Sequence, residues 1–198
     1  MDPVSPDAGL RPAVRFVAAA NLGYFGVEFA VALAIGSVAL FADSIDFLED
    51  ASVNLLILLA LGWPLVWRAR VGMALAGLLL VPGLATLWTA WDKLAEPVPP
   101  EPLPLTLVGL GALAVNLICA GVLARHRRHG GSLAKAAFLS ARNDAYANVA
   151  IVGAGLVTAW LPSAWPDLVV GLGIAAINAD AAREVWTAAR KEHASATP

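Results

Sequence analysis

Four acids, Asp43, Asp46, Glu49 and Asp50, lie inside an otherwise apolar stretch from Ser37 to Leu61. A carboxylate at the centre of a membrane helix costs about 2.5–3.5 kcal/mol on insertion scales. Four on one helix must face protein, water or an ion, and the default reading is an ion pathway. At 100° per residue, Asp43, Asp46 and Asp50 fall within about 60° of one another. Asp46 and Asp50 are i,i+4 neighbours with Cβ atoms ~5–6 Å apart. Two anions that close repel unless a proton or a divalent cation joins them. A second set repeats the spacing: Ser140, Asp144 and Asn148 share one helix face, as do Asp46, Asp50 and Asn54. Two such faces meeting would offer three carboxylates, a hydroxyl and two amides. An internal hydrogen-bond network without an ion is the alternative. Three converging acids without an equal number of bases favour a divalent-cation site.

Around this set stand other polar groups. Asp43 fits a ligand on the approach to the site or a helix–helix hydrogen bonder. Asn21 and Glu28, seven apart on one helix face, fit a vestibule or proton relay, or equally a structural hydrogen bond. Asn54 and Asn148 are secondary candidates, and Asn116 reads as structural. Arg142 points away from Asp144 on its helix and is expected to pair with Glu49 or Glu28. His126 and His129 sit among three arginines, which favours a solvated edge over a metal site.

These residues need helices to position them, and the composition says which kind. Of the 198 residues, 59% are hydrophobic and 14% charged, against about 25% charged in a soluble domain. Mean hydropathy is +0.72. The expected fold is therefore an all-α membrane protein. Apolar spans of about 20 residues cross a bilayer, and six are expected: 13–35, 38–63, 65–95, 104–126, 133–160 and 165–190. The expected organisation is a polar tail over 1–10, a transmembrane unit over 11–190 and a short tail over 191–198. Pro82 should kink the third span. Eleven of the thirteen Lys and Arg residues fall on one side, with Lys93 alone opposite and Arg142 within a span. By the positive-inside rule both termini are cytoplasmic. The seven tryptophans lie near span ends and form an interfacial belt. A net charge of −2 leaves no basic surface for nucleic acid. Cys119, the single cysteine, can form no internal disulfide.

The two halves also resemble each other. Asn21-Leu22 matches Asn116-Leu117, and Gly36-Ser37 matches Gly131-Ser132. Asp50 and Asn54 match Asp144 and Asn148, and Trp63-Pro64 matches Trp165-Pro166. Chance matches among Ala/Leu/Gly-rich helices are the alternative to a duplication. A duplicated three-helix half would make an inverted 3+3 repeat, a recurrent transporter plan with its site at the repeat interface.

Ala42-Asp43-Ser44-Ile45-Asp46 with Asp50, together with Asp144 and Asn148 on the fifth span, resembles the cation diffusion facilitator family over residues 11–190. The resemblance implies six transmembrane helices and export of a divalent metal such as zinc, manganese, iron or cobalt, generally in antiport with protons. It implies metal ligands at Asp46, Asp50 and Asp144, with Ser140 where the family usually has His or Asp. The metal is cargo, and no cofactor is implied. Expected partners are divalent cations, protons, the lipid bilayer and a second copy of the chain through membrane helices, where Gly72 and Ala76 make a small-xxx-small pattern. The expected location is a bacterial plasma (inner) membrane. The family's usual C-terminal cytoplasmic domain is not expected here, as in a short branch. Ser140 and that expected absence motivate the alternative, a non-transporting structural or regulatory membrane subunit. An enzyme is not expected: two aspartates sharing a proton could cleave peptides, but no Gly-x-Gly-Asp signature surrounds Asp50 or Asp144.

Overall fold

The computed structural model describes residues 7–60, 84–125 and 131–196. The side chains of 7–10, 57, 59–60 and 131–140, and those of 181–196 other than Arg183 and Thr187, lie outside the description. Pro82, Gly72, Ala76, His126, His129, Trp63 and Trp67 also lie outside it. The described residues form helices and no strand. They are α1 (Asp7–Ile35), α2 (Val38–Ala60), α3 (84–95), α4 (Pro102–Ala124), α5 (Gly131–Trp160) and α6 (Trp165–Ala196). Two ends differ from the sequence reading. α1 begins at Asp7, inside the expected tail, and α6 runs on to Ala196.

Local chemistry sets the junctions. Gly36 adopts φ +62°, and Ser37 N donates to Ala32 O at 3.0 Å, closing α1 with a glycine C-cap. Ser37 then caps α2, its Oγ accepting from Leu40 N at 3.1 Å. α4 starts inside the proline-rich segment, with Glu101 as N-cap and proline in the first turn. Proline is tolerated there because the missing N–H would have no helical partner.

α1 pairs with α2, and α4 with α5; α1 also packs on α4, and α2 on α5. α6 lies against α2 and α5. An apolar cluster of Ala32, Leu40, Ile45, Leu105, Ile151 and Ile174 fills the half of the bundle nearer the α1–α2 turn. Val17, Cys119, Leu123 and Ala141 fill the half nearer the termini. The polar groups lie between them. By length and apolarity alone, two described helices qualify as membrane spans, Arg11–Ile35 and Pro102–Ala124. Acidic groups dilute the apolarity of α2. The outward faces are nonetheless apolar: Leu22, Leu33, Leu107, Leu117, Ile118, Val149, Leu156 and Ile177 are all exposed. A surface of this kind is a liability in water and is satisfied by lipid. Trp88, Trp91, Trp160 and Trp165 are exposed near the ends of α3, α5 and α6, where aromatic rings anchor to the interface.

One carboxylate ties this end of the molecule together. Asp167, in the first turn of α6, accepts from Ser37 Oγ at 2.6 Å, Val38 N at 2.9 Å and Ala39 N at 3.2 Å. Lys93 Nζ of α3 donates to Asp167 at 2.9 Å and also to the Gly36 carbonyl. The Lys93 and Asp167 side chains are 7% and 0% exposed. Lys93 is thus a buried ion-pair partner. α6 approaches closely here: a methyl on Gly171 would lie 2.7 Å from the Val38 carbonyl carbon. Removing one member of a buried ion pair costs about 3–5 kcal/mol. We predict a loss of that order for Lys93→Met, read as a lowered thermal midpoint in detergent. A wild-type midpoint would show that the pair contributes nothing to stability.

Candidate cation site

α2 points its acids inward because its opposite face meets other helices and lipid. Asp43 is fully buried, and Asp46, Glu49 and Asp50 are partly buried. Across from them α5 contributes Asp144, partly buried, and Asn148, fully buried. Asp46 and Asp144 line one cavity of about 540 Å³ between α2, α5 and α6, together with Tyr146, Ala147, Gly173 and Asn178. Asp144 is also an electrostatic neighbour of Asp50. Asp50 accepts from Asn21 Nδ2 at 3.3 Å, and Asn21 Oδ1 lies 3.7 Å from Cys119 Sγ.

The structure thus gathers Asp46, Asp50 and Asp144 at one level of the bundle. They are neighbours, not a closed shell: among the described residues no three of His, Cys, Asp and Glu are grouped tightly enough to hold a metal ion. Among the described residues no salt bridge is made to Asp46 or Asp144. The ion pair among the described residues is Lys93–Asp167, at the far end. Ser140 sits on α5 one turn before Asp144, with its side chain outside the description.

The other candidates divide. Asn148 Nδ2 donates to Asp43 Oδ2, and Asn116 Nδ2 donates to Asn148 Oδ1 at 2.9 Å. A buried polar line therefore crosses α4, α5 and α2. Glu28 continues it beside Asp43, fully buried, without a hydrogen-bond donor for either oxygen. Asn54 turns away. Its Nδ2 donates to the Asp50 carbonyl of its own helix at 2.7 Å, the local option open to Asn in a helix. Arg142 corrects the sequence reading. It is exposed, donates to Asn143 Oδ1 at 3.2 Å, and lies 6.0 Å from the Tyr146 ring centroid. It pairs with neither Glu49 nor Glu28, because α5 turns that face outward. Asp167 is the functional-looking residue that sequence reasoning missed. An acid just after Trp165-Pro166, and a single lysine on a charge-poor side, were the available signals.

Residues 68–191 match the family described as the cation efflux transmembrane domain. The chain belongs to that family. It is accordingly an integral membrane protein that transports cations, of the cation diffusion facilitator class, and not an enzyme. The match takes in α4, α5 and Asp144, while α1 and α2 precede it. No curated protein matches the chain significantly.

For this transporter, the exposed Arg142 has no partner in the acid set. Arg142→Ala should keep wild-type cation flux, with stability changed by no more than about 0.5 kcal/mol. Flux into proteoliposomes and thermal unfolding check this; a lost flux would return Arg142 to the site.

Proposed function

We propose that the protein exports a divalent metal cation in exchange for protons, with Asp46, Asp50 and Asp144 as metal ligands. The observation that carries this reading is that Asp46 of α2 and Asp144 of α5 line the same cavity, with Asp50 beside Asp144. Metal ligands must be deprotonated, so metal and protons compete for these carboxylates, and the competition couples the two fluxes. The basic residues support cytoplasmic termini, and a proton gradient directed inward would drive the metal outward.

A repeat with inverted topology would supply alternating access. Two contacts support it. Asn21 of α1 bonds to the acid face of α2, and its counterpart Asn116 of α4 bonds to the polar face of α5. Rocking one half on the other would bring α2 and α5 together, close the carboxylates on the ion, and expose them to each side in turn.

Selectivity follows from ligand chemistry. With serine at 140, the ligand set is all oxygen. Carboxylate and water suit manganese, whereas imidazole suits zinc. Zinc also accepts carboxylates, and intrinsic affinity favours it over manganese, so the set lowers discrimination without reversing it. Zinc, manganese and ferrous iron are the proposed cargo.

Two outcomes are expected. Asp50→Ala and Asp144→Ala should each abolish metal-driven proton flux in proteoliposomes while the protein still inserts; wild-type flux in either would place the site elsewhere. Ser140→His should raise the zinc-to-manganese affinity ratio, measured by calorimetry or competitive flux. An unchanged ratio in an active variant would mean that position 140 does not reach the metal.

A further inference from the structure

Three carboxylate oxygens are enclosed without a hydrogen-bond partner: both oxygens of Glu28, and Oδ1 of Asp43. Both side chains are 0% exposed, and they are neighbours. The nearby amides are already spent. Asn148 donates to the other oxygen of Asp43, and Asn116 donates to Asn148. An ionised carboxylate only accepts, so two facing one another in a dry interior need a shared cation. A metal ion would need ligands beyond these two carboxylates. A single proton needs none. It converts one carboxyl into a donor to the other.

The surroundings fit a proton. The titratable groups facing the pair are Tyr24 on α1, Asp46 on α2 and Asp144 on α5, while α4 brings the uncharged Asn116. No lysine, arginine or histidine among the described residues competes as counter-charge. Tyr24 is committed elsewhere, its hydroxyl donating to Val108 O at 2.6 Å.

We propose that Glu28 and Asp43 form a proton-binding site distinct from the metal ligands, holding one shared proton when the metal is absent and losing it when the metal binds. This rests on the assignment of the metal to Asp46, Asp50 and Asp144. Asp43 lies three residues, about 4.5 Å of helix rise, from Asp46, and it is held by Asn148 rather than by a ligand carboxylate. A divalent charge that close acts strongly through a low-dielectric interior. As metal–carboxylate contacts form, the O–H bond of the pair breaks and the proton passes to water. One proton is then exchanged by field, in addition to those displaced from the ligands by competition.

The test uses the full chain in detergent, with zinc and manganese as probes. Proton release per metal bound is measured by calorimetry in buffers of different ionisation enthalpy. Glu28→Gln keeps the shape and lets the new amide donate to Asp43, so Asp43 stays ionised throughout. It should bind metal yet release about one proton fewer than wild type. Its affinity should then gain about tenfold less per unit rise in pH. Asp43→Asn should behave alike. A metal-free readout accompanies this: the infrared carbonyl band of a protonated carboxyl should weaken in Glu28→Gln relative to wild type. An unchanged proton count in Glu28→Gln would overturn the proposal and leave the metal assignment standing. Loss of metal binding in a folded Glu28→Gln would overturn it too, by making Glu28 a ligand. If wild type binds metal but Asp50→Ala binds it equally well, the metal assignment fails, and the infrared band alone decides whether the pair holds a proton.

Discussion

Charge taken out of water inside a bilayer has to be answered by something, and that requirement organises this molecule. An unsatisfied polar group in hydrocarbon costs several kcal/mol, and a bare carboxylate costs more. α2 carries four acids and cannot face lipid with them. α1, α4, α5 and α6 therefore wrap its acidic face, and their outer faces are left to leucine, isoleucine and valine. Apolar clusters fill the bundle towards either end. The position of the acids decides which helices must be central.

The two buried acid systems solve the same problem in opposite ways. Asp167 is fully compensated by a lysine, a hydroxyl and two backbone N–H groups. It is a structural knot with no remaining capacity. The acids of α2 and α5 have amide donors and one another, and among the described residues no salt bridge is made to Asp43, Asp46 or Asp144. Compensation makes a fixed joint, whereas the proposed cation site calls for carboxylates that can take up and release cations. This contrast is what distinguishes a site from a clamp in a chain with acids at both places.

Much of this could be read from residue order. Gly36-Ser37 marks the α1–α2 turn because only a glycine relaxes into the left-handed conformation that ends α1. The i,i+4 spacing of Asp46 and Asp50, and of Asp144 and Asn148, fixes which acids share a face. Rotation of one helix against another is not encoded locally, and that is where the reading failed. Arg142 was placed correctly opposite Asp144, yet the face it occupies is the outer one. Asn54 shares a face with Asp50 but spends its amide on its own backbone. Lys93 and Asp167 stand 74 residues apart, and no periodicity connects them.

That separation also bears on how the chain is assembled. The first turn of α2 exposes backbone N–H groups whose acceptor, Asp167, arrives about 130 residues later. Lys93 likewise has its anion only once α6 is in place. During synthesis, α1, α2 and α3 enter the bilayer with those donors unmet. Water or lipid headgroups must serve them until the last helix docks. Completion of the bundle is therefore registered at its first turn: until α6 docks, Ser37 caps α2 alone, the Val38 and Ala39 N–H groups lack their acceptor and Lys93 lacks its anion.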